Sequence, residues 1–215
     1  MKRILAAAAA SLFVAGPAAA STVTLDYVGP GAFGAPNLAQ NVTIQSPVRG
    51  PIGVRAGPFH VTDGVSEFFA WCFDIAQNVA DGVSYQVAGN PLGSAREGLL
   101  NRLFTSYYDD IDTGVEGAAF QVAIWEIVYE NLSGPLDVST GLFSAWNNSG
   151  VVAQANSWLS NLGQEENYEI TYFASGTNQD LLTGQVAPVP LPAGILLLGS
   201  GLGAIAVTRR RRKTA

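Results

Sequence analysis

From Arg3 to Arg212 the chain has no lysine, and over its whole length it has one cysteine, Cys72, and one histidine, His60. A single cysteine excludes an internal disulfide. The missing lysines exclude a Lys–Asn isopeptide cross-link in the body of the chain and leave the α-amine as its one primary amine there. Charge is sparse, at 13% of residues, and unevenly placed. Two of the eleven basic residues stand at positions 2 and 3 and five at 209–213. Between them Arg49, Arg55, Arg96 and Arg102 face all seventeen acids, a formal charge of −13. Such a surface excludes nucleic acid as a partner; cations, or basic and amine-bearing surfaces, suit it better.

The two ends carry the pattern of addresses. Lys2 and Arg3 precede an apolar stretch from Ile4 to Gly16, and Ala18-Ala19-Ala20 supplies the small-x-small site that signal peptidase reads. Residues 1–20 are therefore expected to be a cleaved signal peptide. At the other end, Ala193 to Val207 is free of charge and is followed by Arg209, Arg210, Arg211, Arg212 and Lys213. Fifteen helical residues reach ~22 Å against a hydrocarbon core of ~30 Å, so the span is short and suits a temporary anchor. The basic cluster acts as stop-transfer and stays in the cytoplasm. The expected order is an exported domain at 21–180, a linker and motif at 181–192, a transmembrane helix at 193–208 and a basic tail at 209–215.

The run Val189-Pro190-Leu191-Pro192-Ala193, then a short apolar helix, then an Arg cluster, resembles the PEP-CTERM class of sorting tails in its VPLPA variant. Leu191 stands where the commonest form has Glu. The resemblance implies an exosortase-type membrane peptidase as partner, a Gram-negative envelope, and release or transfer to the cell envelope or exopolysaccharide matrix.

The body of the chain reads as α+β: a small sheet or sandwich with a helical insertion. Val23, Leu25 and Tyr27 alternate with polar residues, as do Val42 with Ile44 and Val83, Tyr85 with Val87. Ile52–Val54 and Phe59–Val61 are shorter strands. Glu67–Ile75 is an aromatic run that predicts a strand buried on both faces, and Tyr168, Ile170 and Tyr172 predict the last one. Ser94 with Glu97, and Thr113 with Glu116, form two capping-box patterns that open helices. A third helix is predicted over Val151–Leu162. Asp109, Asp110 and Asp112 fail the calcium-loop spacing at Gly114.

One constellation carries chemistry. On the helix after Thr113, Gln121 shares a face with Gly117, Ala118, Ile124, Trp125 and Val128, whereas Glu116, Glu126 and Glu130 lie opposite. If the acids meet water, Gln121 points inward, where an unpaired amide costs ~1–3 kcal/mol. Cys72 is buried by the same logic. Both residues also read as packing groups, a small apolar thiol and an amide bonded to backbone.

WCFDI followed by AAFQVAIWEIVYE resembles the Cys-Gln thioester domains of bacterial surface adhesins, with Gln121-Val122-Ala123-Ile124-Trp125 on their Q-x-A-[IV]-W motif. Phe120 stands where that family more often has Thr, and the 49-residue separation is shorter. The resemblance implies a Cys72–Gln121 thioester that couples the protein to amine or hydroxyl groups, in an attachment module and not an enzyme, without cofactor or metal. Phe69, Trp71, Phe73 and Trp125 are expected to wall the bond from water, and Asp74 or His60 to assist it. The lysine-poor surface then avoids self-reaction, although a plain compositional preference for Arg explains it somewhat better. The alternatives are a passive envelope or matrix protein, and a thiol hydrolase or transglutaminase built on Cys72 and His60.

Overall fold

The computed structural model describes residues 21–188. The signal peptide, the VPLPA motif, the apolar span and the basic tail read from the sequence lie outside the described residues. Among the described residues no helix is long and apolar enough to cross a membrane.

Six strands close into an antiparallel barrel: β1 (Thr22–Tyr27), β4 (Phe59–Thr62), β5 (Glu67–Cys72), β9 (Leu181–Val186), β8 (Tyr168–Ala174) and β6 (Val83–Ala88), in that spatial order. β2 (Gln40–Ser46), β3 (Arg49–Ala56) and β7 (Ser144–Trp146) make a second, three-stranded sheet with β2 in the centre. The expected small sheet or sandwich is thus a closed barrel with a satellite sheet. Closure leaves no barrel edge exposed to another chain. Three helices are described: α1 (Ser94–Tyr107) against β8, α2 (Gly114–Tyr129) against β2, β3 and α3 (Ser149–Ser160).

Most of the alternating runs become strands. Two strands have weak sequence signals. β7 has only three residues, and β9 sits in the stretch expected to begin the linker at 181. β9 pairs with β8 from Tyr168↔Val186 to Phe173↔Leu181 and with Cys72 of β5 through Leu181, and Leu181 to Gly184 are buried. The domain therefore runs through residue 186. Gly184 is required there because a Cβ would collide with the Phe104 ring of α1.

The capping boxes divide. Thr113 Oγ1 accepts from Glu116 N, and the Glu116 carboxylate accepts from Thr113 N at 2.8 Å, so α2 opens as expected. The Ser94 box does not form. The residue before α1 is Gly93 with no side-chain cap, while Asn90 accepts from Leu92 and Gly93 N and donates to Glu97. α3 starts two residues earlier than expected, capped by Asn148.

α2 departs most from expectation. Every residue from Gly117 to Ile127 is buried, so the helix has no solvated face. Glu126 is buried against the following loop, and Glu130, half-buried just past the helix end, bonds to the same loop. Glu126 Oε1 accepts from Asp137 N at 2.8 Å, and Glu130 Oε2 accepts from Leu142 N at 2.6 Å and Phe143 N at 3.1 Å. The far end is closed by Arg96 of α1, which donates to the carbonyls of Ile127, Val128 and Glu130, satisfying acceptors that a helix C-terminus leaves open. Gln121 is buried as expected, but because the whole helix is.

Gly117 lets α2 lie against the backbone of Leu38: a Cβ would come within 2.9 Å of Leu38 Cβ and overlap its carbonyl oxygen. Gly117→Ala is expected to lower stability by about 1–3 kcal/mol, against an intrinsic helix gain of ~1 kcal/mol. Gly98→Ala on α1, where only the flexible Glu166 carboxylate approaches at 3.3 Å, should be neutral or stabilising. Urea unfolding midpoints of the two variants check this.

Candidate functional site

Cys72 is the last residue of β5, at the point where the chain leaves the barrel, and Gln121 is in the middle of α2. The fold brings them together. Gln121 Nε2 donates to the Cys72 carbonyl at 2.6 Å, and the Cys72 N–H donates to Gln121 Oε1 at 3.1 Å. The carboxamide thus closes a two-bond bridge with the cysteine's own backbone, as a neighbouring strand would. Both residues are almost fully buried, at 2% and 1% exposure.

The segment after Cys72 is held from two sides. Ile75 N donates to the Tyr129 hydroxyl of α2 at 3.0 Å, and Arg49 Nη1 of β3 donates to the Ile75 carbonyl at 3.1 Å. Phe73 N donates to the Asp180 carbonyl. The turn at Phe73–Ile75 is therefore tied to α2, to the small sheet and to the loop before β9.

Cys72 is a free thiol that donates to the Asp74 carbonyl at 3.0 Å. Burial pushes its pKa far up, and the charges of Asp74 and Asp180 push the same way. Trp125 pulls it down. Its indole N–H is buried without a partner of ordinary hydrogen-bond geometry, yet it stands close enough to the sulfur to favour the thiolate. The resting thiol is protonated at neutral pH.

The expected supporting residues divide by strand face. Cys72 and Trp125 line a cleft of about 400 Å³ together with Gln121. Trp71 points to the other face of β5, 4.6 Å from the Phe120 ring, and Phe69 packs on His60, ring to ring at 5.2 Å. Neither walls the sulfur. Phe73 stacks edge-on against Tyr172 at 5.8 Å. Asp74 is not on the strand, because β5 ends at Cys72. Its carboxylate accepts from Ala76 N, and only its backbone carbonyl meets the thiol. His60 lies within 3.4 Å of Glu67 and is not in the cleft lining. Neither side chain hydrogen-bonds the sulfur.

Sequence reasoning missed the rest of the cleft. Arg49, Arg55, Gln77, Asn78 and Gln179 line it alongside the Cys72–Gln121 pair. A signal existed in the two arginines, half of those in the acidic region, although nothing in their spacing ties them to Cys72.

No family model matches the chain, and no curated protein matches it. Among solved structures, the N-terminal thioester domain of a surface protein from Clostridium perfringens, in a cysteine-to-alanine mutant form, aligns with 68% of this chain and 99% of that one. The identity is 11% and the TM-score 0.39. At that level the chemistry has to be argued from this chain's own residues.

A second buried acid stands on the same helix. Glu126 is 0% exposed, and its Oε2 has no partner. Burial raises its pKa from 4.5 to about 7, with Glu130 and Asp137 adding to the rise and the bond from Asp137 N opposing it. A carboxyl that holds its proton more tightly when folded makes the protein lose stability as pH rises from about 4.5 through about 7. Glu126→Gln is expected to remove that loss, leaving the variant less sensitive than the wild type between pH 5 and pH 8.5 by on the order of 2 kcal/mol. Urea midpoints at both pH values measure it.

Proposed function

We propose that this chain is an exported surface or matrix protein whose described domain forms an internal thioester between Cys72 and Gln121 and uses it to attach covalently to amine or hydroxyl groups. The observation that carries the reading is the two-bond bridge between the Gln121 carboxamide and the Cys72 backbone. It ties the Gln121 carboxamide to the residue that carries the one thiol of the protein, and an N–H already bonds its carbonyl oxygen.

The chemistry follows from those contacts. The sulfur attacks the Gln121 side-chain carbonyl carbon, and charge develops on Oε1, where the Cys72 N–H donates. A preorganised donor at that position stabilises the tetrahedral species. The C–N bond then breaks, the thiol proton goes to the departing nitrogen, and ammonia leaves. The Trp125 indole N–H favours the thiolate that the attack needs. An incoming amine or hydroxyl reverses the logic: its nitrogen or oxygen bonds to the carbonyl carbon, the C–S bond breaks, and its proton goes to the sulfur.

The terminal sequences support delivery to the outside. A charged start, an apolar core and Ala18-Ala19-Ala20 fit export through signal peptidase. Val189 to Ala193, the apolar stretch and the Arg cluster fit a membrane-tethered precursor handled by an exosortase-type peptidase.

One observation favours a passive envelope or matrix protein instead. The bridge gives both the oxygen and the nitrogen of the buried amide a partner, and the thiol is held protonated by burial, so packing also accounts for both residues. Intact mass separates the two. The thioester form weighs one ammonia less than the encoded mature chain, Cys72→Ala and Gln121→Ala each abolish the deficit, and methylamine abolishes it in the wild type. A full encoded mass in fresh wild-type protein would sink the thioester and leave the passive reading. The same spectrum reports both terminal cuts. Gln121→Ala also strands the Cys72 N–H and carbonyl, so it should destabilise by ~1–3 kcal/mol.

A further inference from the structure

We propose that the acyl acceptor of this site is an acidic sugar unit: a hydroxyl- or amine-bearing residue with a carboxylate or sulfate close to its nucleophile. This rests on the thioester reading and names its substrate class.

The four arginines of the acidic region are used in different ways. Arg102 pairs with Glu166 at 3.0 Å, and Arg96 is consumed by the carbonyls at the end of α2. The other two, Arg49 and Arg55, both line the cleft that opens on Cys72 and Gln121, and neither takes part in an ion pair among the described residues. No carboxylate lines that cleft, in a region that otherwise carries seventeen of them. Asp74 and Asp180 bear on the thiol but are not part of the lining.

The two guanidinium groups are placed and not merely present. Arg49 spends one nitrogen, Nη1, on the Ile75 carbonyl, which fixes its stem and leaves other donors to the cleft. Arg55 lies over the Phe33 ring, its Cζ 5.3 Å from the centroid, a stacking that positions a planar cation. Planar guanidinium groups bind carboxylate and sulfate through paired hydrogen bonds. Around them stand the side-chain amides of Gln77, Asn78 and Gln179, which suit hydroxyl groups, and Gln77 Oε1 is a buried acceptor without a partner. Buried acceptors are normally satisfied, so a ligand hydroxyl donating to Gln77 completes the site. A cleft of about 400 Å³ is within the range that small ligands fill.

The overall negative charge pointed to basic partners. The local lining is of the opposite sign. An anion that reaches the cleft leaves a repelling surface for two unpaired cations, so selection is by the pocket and not by long-range attraction.

The test compares adduct formation by intact mass on the full-length protein, using glucosamine 6-sulfate against glucosamine, and β-alanine against ethanolamine. The sulfated sugar is expected to react about tenfold faster than glucosamine. Arg55→Gln should cut that ratio severalfold, and the Arg49→Gln, Arg55→Gln double variant should bring it to about one. Equal rates for the two sugars in the wild type would overturn the proposal, as would a ratio unmoved by either variant. If β-alanine outruns glucosamine 6-sulfate, the acceptor is an amino-acid carboxylate and the sugar assignment falls. A wild type that never shows the ammonia deficit defeats the thioester but not the anion site. Titration of glucuronate into Cys72→Ala protein then decides: binding lost in Arg55→Gln supports the cleft, and absence of binding overturns it.

Discussion

The carboxamide of Gln121 takes the place of a strand at the end of β5. Cys72 is the last ladder residue on that strand, and beyond it the chain leaves the barrel. Its N–H and carbonyl need partners that the sheet no longer offers there, since a buried backbone group left unpaired costs as much as a lost hydrogen bond. Gln121 supplies both. The rest of the domain can be understood as what it takes to hold an amide at that spot: a helix buried along almost its whole length, a turn at Phe73–Ile75 clamped by Tyr129 and Arg49, and a barrel that closes through β9 against Cys72.

Burying α2 from Gly117 to Ile127 creates the next problem. A helix with acids at 126 and 130 and no wet face must find donors for them. The loop between α2 and β7 provides its own backbone amides, from Asp137, Leu142 and Phe143. The two side chains organise a loop that has little regular structure, and the loop lets Glu126 stay inside. Glu126 is fully buried with one oxygen unserved, and it is this burial, helped by the charges of Glu130 and Asp137, that makes it hold its proton so tightly.

Much of this was legible in residue order. Alternation located β1, β2, β6 and β8, the Thr113–Glu116 box fixed the start of α2, and the aromatic run around Cys72 announced a buried strand. The failures share one cause, which is that tertiary partners decided what local pattern could not. Ser94 and Glu97 have the spacing of a box, but Asn90 captures Glu97. Glu126 has the spacing of a solvated face with Glu116 and Glu130, but the loop after α2 covers it. Leu181–Val186 lies beside a Pro-rich tail and looks like a linker, yet it completes the barrel. Phe69 and Trp71 flank Cys72 in sequence and face away from it in space, because a strand alternates.

The cleft sharpens that contrast between sum and site. Summed charge predicted a protein that attracts cations, since acids outnumber bases seventeen to four between the two charged ends. Where the thiol and the amide meet the cleft, the sign reverses, with Arg49 and Arg55 unpaired and a glutamine oxygen unserved. An attachment chemistry that stores its energy in a covalent bond needs little affinity from its pocket, only the correct placement of a nucleophile. Two cations that cost nothing to hold apart in an acidic domain, and that would gain by meeting an anion, are a simple way to supply that placement. Arg49 also clamps the Ile75 carbonyl, whereas Arg55 stacks on Phe33 at the cleft, so Arg55 is the cation whose position a structural Cys–Gln contact explains least.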